Sequence, residues 1–238
     1  MPRDRVVIIP IASIEYHGAL PLETDYIIAK CILNNLKESL SIKGENNIIT
    51  LPPIAYSASI EHIKAGPTAS IKPSTFSNYI YELTTTIYNS NLSNKIIYPI
   101  IHGGAYHTAY IAARQAMQET GGRIIVAIDS LWKTLQKYLY EKYGLRTTVI
   151  HADPIEASLL VACDTKARGV EETDPDTVLL EEARIQQEYR ELLEPWMSWN
   201  IRYPETPVPA SKILGKELLE EYTKHLEEKI EKIKQIIL

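Results

Sequence analysis

The chain has 238 residues, 45% of them hydrophobic, and a formal net charge of -5 at pH 7. That supplies a full core for one domain, or at most two, while the acidic balance and lack of a dense basic patch exclude a nucleic-acid surface. No apolar run reaches the ~18 residues that cross a bilayer, and Met1 to Arg5 lacks the features of a signal peptide, so a cytoplasmic protein without membrane partners is expected.

Val6 to Ile11 is an apolar run that reads as a buried strand, and Tyr26 to about Leu40 is apolar-periodic and reads as a helix, with Thr24 or Asp25 as its cap. Ile48 to Leu51 reads as a second strand. Pro52 to Ile71 is a long loop, of the kind that is usually functional, and Pro73 opens a helix to about Tyr88. Lys95 to Ile101 is a third strand, followed at once by a helix over Tyr106 to Glu119. Gly121 and Gly122 end that helix before a fourth strand, Arg123 to Ile128. This alternation predicts an α/β fold: a single domain with a mostly parallel, doubly wound sheet and helices on both faces.

Asp129 to Tyr143 reads as helical, Thr147 to Ile150 as a short strand, and His151 to Ala162 as a loop continuing into a helix. Val170 to Asp176 is expected as an acidic loop, Thr177 to Leu193 as a charged helix, and the proline-rich Glu194 to Pro209 as irregular, with Trp196 and Trp199 covering apolar surface. Ser211 to Leu238 closes the chain as an amphipathic helix. Cys31 and Cys163 fall in apolar helical patterns and are expected to be buried free thiols rather than a disulfide.

The chemistry concentrates in the loop from Ser13 to Asp25. Glu15 and His17 are two apart and point together from an extended chain, and Asp25 lies at the start of the next helix. His102 ends another strand, before Gly103 and Gly104, which let backbone approach a ligand. Parallel strands bring such ends to one edge of the sheet. With Glu156, these residues form a candidate metal set: Glu15, His17, Asp25, His102 and Glu156. Oxygen and nitrogen donors without thiolate suit one or two divalent ions, Zn, Fe(II) or Mn. Taken singly, a loop His is more often a surface residue, and Asp25 could be an ordinary cap. A carboxylate directly after a buried strand needs a partner, and the combination favours a site.

Pro10-Ile11-Ala12-Ser13-Ile14-Glu15-Tyr16-His17-Gly18, with Leu20-Pro21-Leu22-Glu23-Thr24-Asp25, resembles the signature loop of the creatininase (creatinine amidohydrolase) family. His102-Gly103-Gly104, the stretch from His151 to Ser158, and Glu61-His62 with Gly66-Pro67-Thr68 resemble further elements of that family, in the right order. The resemblance implies a metal-dependent amide hydrolase that is generally a homo-oligomer. In it Glu15, Asp25 and His102 would hold one metal, and His17, Asp25 and Glu156 a second. It further implies that His151 either supports the metal ligands from behind or faces the substrate. His151 and Glu61 are then the candidate proton shuttles, and Gly103, Gly104 and His62 the substrate-binding groups.

Between His17 and Asp25 the chain is one residue shorter than many members and lacks their second His, and Ala105 replaces the usual Asn. In this respect Gly18-Ala19-Leu20-Pro21 is similar to the archaeal deformylases of a formylamino-pyrimidine ribonucleotide, on the route to riboflavin and coenzyme F420. The implied partner is a small-molecule amide or formamide. Creatinine or another cyclic amide is the alternative, and a non-catalytic or peptide-maturation member is the second. Lys64, Lys72 and Arg114 are candidate phosphate contacts.

Overall fold

A computed structural model describes residues 5–147, 151–190 and 203–236. Its main sheet has four parallel strands in the order β2-β1-β3-β4: β1 Val6–Ile8, β2 Ile48–Thr50, β3 Lys95–Ile100 and β4 Ile125–Ser130. β3 is buried along its whole length, as a strand covered on both faces must be. Alternation sorts the side chains. Val6, Ile8 and Ile97 face one core with α1 (Thr24–Ile42), α4 (Leu131–Tyr143), α5 (Pro154–Cys163) and α7 (Lys212–Lys234). Val7, Ile9, Ile96, Tyr98 and Ile100 face a second core with α2 (Pro73–Asn89) and α3 (Tyr106–Glu119). The parallel, doubly wound expectation holds.

The strand order places the site. The chain moves outward from β1 to β2, then crosses to β3 on the other side of β1. The order therefore reverses between β1 and β3, and a crevice opens outside their carboxyl ends. The loop carrying Glu15 leaves β1 there, and His102 leaves β3 there.

The fourth strand includes Asp129 and Ser130, which were expected in the following helix. They pair with Pro99 and Ile100, and the Ser130 hydroxyl caps α4 by accepting from the Lys133 amide. Two further expectations are corrected. Val170–Glu172 is a strand, β5, rather than a loop, and Val208–Ala210, which begins in the last two residues of the proline-rich stretch, is a strand, β6. They pair in parallel and pack with Leu20, Ala157 and Leu160. α6 runs Pro175–Arg190. The thiol expectation also fails: Cys31 of α1 and Cys163 of α5 are joined as a disulfide, with Cα atoms 5.6 Å apart. The helices pack side by side and bring the two sulfurs together. Trp196, Trp199 and all but the first residue of the expected strand Thr147–Ile150 lie outside the described residues. No helix among the described residues is long and apolar enough to cross a membrane.

Candidate metal centre

Local hydrogen bonds shape the first loop. The Glu15 amide donates to the Leu22 carbonyl at 3.0 Å and the Leu20 amide to the His17 carbonyl at 3.1 Å, folding the loop back before α1 begins. Glu15 and His17 face inward and Asp25 follows in the first turn of α1. His102 sits in extended backbone before a tight turn, Gly103–Ala105, that feeds α3. Glu156 lies in the first turn of α5, which Asp153 caps. His62 and Glu61 come from a single 3-10 turn in the long loop.

Glu15, His17, Asp25, His62, His102 and Glu156 are each 3% exposed or less. The His17 Nε2 stands 3.8 Å from Glu15 Oε1, 3.8 Å from Asp25 Oδ1 and 3.6 Å from Glu156 Oε2. The His102 Nδ1 stands 3.0 Å from Glu15 Oε2 and 3.6 Å from Asp25 Oδ2. Asp25 thus offers one oxygen to each imidazole.

The backbone fixes how these imidazoles are protonated. His17 Nδ1 is 2.9 Å from the Glu15 carbonyl, and His102 Nε2 is 2.9 Å from the Ala58 carbonyl. A carbonyl only accepts, so each of those nitrogens carries hydrogen, and in the neutral ring the other nitrogen is a lone pair. Those lone pairs face carboxylates, an arrangement that repels unless a cation lies between. His17 Nε2 has no hydrogen-bond partner among the described residues. Its 3.6–3.8 Å spacings are too long for hydrogen bonds, yet suit atoms that each stand ~2.1 Å from one ion. Histidines oriented by backbone carbonyls are the usual ligand geometry. The donor set therefore fits a divalent metal.

The electrostatics agree. Burial alone would raise Glu15, but the charge of His102 and its hydrogen bond hold the carboxyl well below the usual range. Burial would lower His17, yet Glu156, then Asp25 and Glu15, drive it up to about 10. Burial and the neighbouring Glu15 push Asp25 up to about 8. A site crowded with buried carboxylates is holding protons where a cation can go.

Three groups of ligand atoms among the described residues lie within 4.8 Å of one another: His17, Asp25 and Glu156; Glu15, His62 and His102; and Glu15, His17 and His151. The first coincides with one expected ligand set. In the second, His62 joins the pair that was expected with Asp25. Glu61 Oε1 lies 3.4 Å from His102 Nε2, and Gly103 and Gly104 line the same cavity. A Cβ on Gly104 would fall 1.8 Å from Glu61 Oε1, so only glycine leaves that carboxylate its place. Lys64, Lys72 and Arg114 do not line the cavity.

Sequence reasoning missed Ser13 and gave Tyr203 no partner in the site. The Ser13 hydroxyl donates to Asp25 Oδ2 at 2.8 Å, and its i, i+2 relation to Glu15 was a usable signal. The Tyr203 hydroxyl lies 2.7 Å from His62 Nδ1, 141 residues away, and no local pattern marks it.

A family model, Creatininase: Creatinine amidohydrolase, matches residues 1–230. A mycofactocin precursor peptide peptidase from Mycolicibacterium smegmatis is 30% identical over 119 residues, which are 50% of this chain and 47% of that protein. The match thus spans less than half the length of that curated relative. Among solved structures, creatinine amidohydrolase (creatininase) superposes with a TM-score of 0.74 at 15% identity, covering 98% of this chain and 92% of that one. A manganese form of creatininase superposes with a TM-score of 0.72 at 16% identity, covering 97% and 91%. At such identities the structures show a shared fold.

Proposed function

The chain belongs to the creatininase (creatinine amidohydrolase) family, and from that premise we propose that it is a metal-dependent hydrolase of an amide-type C–N bond, acting as one catalytic domain. The observation that carries this reading is the orientation of His17 and His102, whose unspent nitrogens converge on Asp25 and on Glu15 or Glu156. Glu15, Asp25 and His102 would hold one ion, and His17, Asp25 and Glu156 a second. A divalent ion bound there, Zn, Fe(II) or Mn, would supply Lewis acidity toward a carbonyl and a more acidic water.

The chain's own groups do the rest. The amides of Gly103 and Gly104 lie at the positive end of α3 and hold the carbonyl oxygen as it gains charge. His151 orients the substrate within the buried cluster, backed by the ring of His62, which stacks on it at 4.2 Å. Glu61, whose side chain is 16% exposed, takes the proton of the attacking water and passes it to the departing nitrogen. The water oxygen bonds to the carbonyl carbon as the C–N bond breaks.

For the substrate, the cavity is small and is lined by Glu61, His102 and Gly104, which suits a compact acyl group such as formyl. With the shortened Gly18–Pro21 segment, this supports formamide hydrolysis on a formylamino-pyrimidine ribonucleotide. A second reading, cleavage of a peptide bond, is favoured by the 30% identity to a precursor peptide peptidase and by the lack of Lys or Arg among the described cavity residues. Formate release from the nucleotide should exceed creatinine turnover by the metal-loaded protein. Peptide cleavage without formate release would turn the assignment to the second reading, and inactivity of the loaded protein on every amide class would sink both. The reading includes a homo-oligomer, supported by exposed Tyr56, Ile60 and Ile63 on the long loop and tested by light scattering.

A further inference from the structure

Four imidazoles are packed in the cluster, and three share one device. His17, His102 and His151 each give one ring nitrogen to a backbone carbonyl, of Glu15, Ala58 and Tyr16 respectively, at 2.9 Å, 2.9 Å and 3.1 Å. A carbonyl cannot donate, so the backbone dictates the tautomer. His62 is different: its Nδ1 meets the hydroxyl of Tyr203 at 2.7 Å, a group able to donate or accept.

The other side of His62 decides the direction. Its Nε2 stands 3.3 Å from Glu15 Oε1 and 3.9 Å from Glu61 Oε1, and both ionised carboxylates are acceptors. These are ion-pair distances rather than closed hydrogen bonds, but hydrogen on Nε2 is the state that faces two acceptors favourably, and Nδ1 is then left to accept from Tyr203. The tyrosine is held for this task. The Pro204 carbonyl accepts from the Ala19 amide at 2.7 Å, and the Tyr203 ring lies 5.0 Å from that of Tyr16. Gly18, at φ +61°, makes the close approach possible, since a Cβ there would fall 2.3 Å from the Pro204 oxygen.

We propose that Tyr203 is a positioning residue: its hydroxyl donates to His62 Nδ1, which fixes the tautomer whose Nε2–H holds Glu15 in place beside His102. The device rests on the metal reading given above. It reaches the site from the proline-rich end of the chain and acts on a metal-binding carboxylate one step removed, where outer partners typically change metal affinity by 10–100-fold.

Cobalt(II) is the probe, its affinity measured by competition with a chelator and its coordination by visible absorption. Tyr203→Phe keeps the ring against Tyr16 and removes only the hydroxyl. It should weaken cobalt binding about 10-fold or more and alter the absorption bands, with little change in melting temperature. His62→Gln keeps an N–H donor for Glu15 without a tautomer to set, so adding Tyr203→Phe to it should cost nothing further. An equal loss in both backgrounds, or a Tyr203→Phe protein with wild-type affinity and spectrum, overturns the proposal alone. A wild-type protein that takes up no cobalt overturns it together with the metal reading.

Discussion

Glu15, Asp25 and Glu156 bring three carboxylates into one buried volume with His17 and His102, and burial makes each uncompensated charge costly. The ion-free protein manages this with protons. Asp25 and His17 both have folded pKa values above their unfolded ones, at about 8 against 3.8 and about 10 against 6.5. Stability from such groups is complete below the unfolded pKa and is lost as pH rises through the folded one. The chelated protein should therefore melt at falling temperatures as pH rises from about 7 to about 10, while the loaded protein, whose ion replaces those protons, changes less. Parallel melting curves would contradict the site's charge balance. Asp25→Asn and His102→Ala should each lose bound metal, read by elemental analysis, and turnover with it. Either variant keeping full activity after dialysis against chelator would falsify the metal mechanism. Gly104→Ala should disturb the site directly. Its Cβ would fall 1.8 Å from Glu61 Oε1 and 2.7 Å from His102 Nε2, so the variant should displace both side chains and lose at least about 10-fold in kcat together with part of its bound metal.

At the scale of elements, α7 is pinned to the sheet through Asp129 at the end of β4. Tyr222 donates to Asp129 Oδ1 at 2.9 Å, His225 lies 2.9 Å from Oδ2, and Lys229 pairs with the same oxygen. Burial would raise this carboxyl, but His225 and Lys229 hold it below the usual range. A depressed pKa gives stability that is present above the unfolded value and lost as pH falls through the folded one, so this anchor fails below about pH 4. Asp129→Ala should cost roughly 2 kcal/mol, since its partners are partly solvated, and denaturant melts should show that loss shrinking toward acid pH. What the sequence displayed was local. Strand ends, the Ser13–Asp25 loop and the His-Gly-Gly turn were legible because hydrophobic runs and turn residues adjoin the groups they position. β5 and β6 were not: Val-Glu-Glu and Val-Pro-Ala are three residues long, carry little alternation, and form only because α5 and Leu20 give them a surface. The role of Tyr203 was hidden for a similar reason, as its partner lies in a different loop.

For the whole molecule, the covalent link between Cys31 and Cys163 makes a different demand on the chain. The two residues are separated by 132 positions, and their helices, α1 and α5, carry Asp25 and Glu156 in their first turns. Helical periodicity could place each cysteine on a buried face but could not show that the faces meet. Closing so long a loop restricts the unfolded chain by about 4–5 kcal/mol in the chain-entropy account. In the folded state the same helices are already held together through the core they share with α7. The link therefore acts mainly on the unfolded ensemble. Replacing both cysteines by serine should lower the melting temperature by roughly 8–20 °C, taking ~2–4 °C per kcal/mol for a chain of this size, and leave metal stoichiometry intact. If metal affinity fell in step with melting temperature, the bond would instead be setting the distance between the two helix starts, and with it the spacing of Asp25 and Glu156. Wild-type melting in the double variant would show that packing alone already fixes α1 against α5.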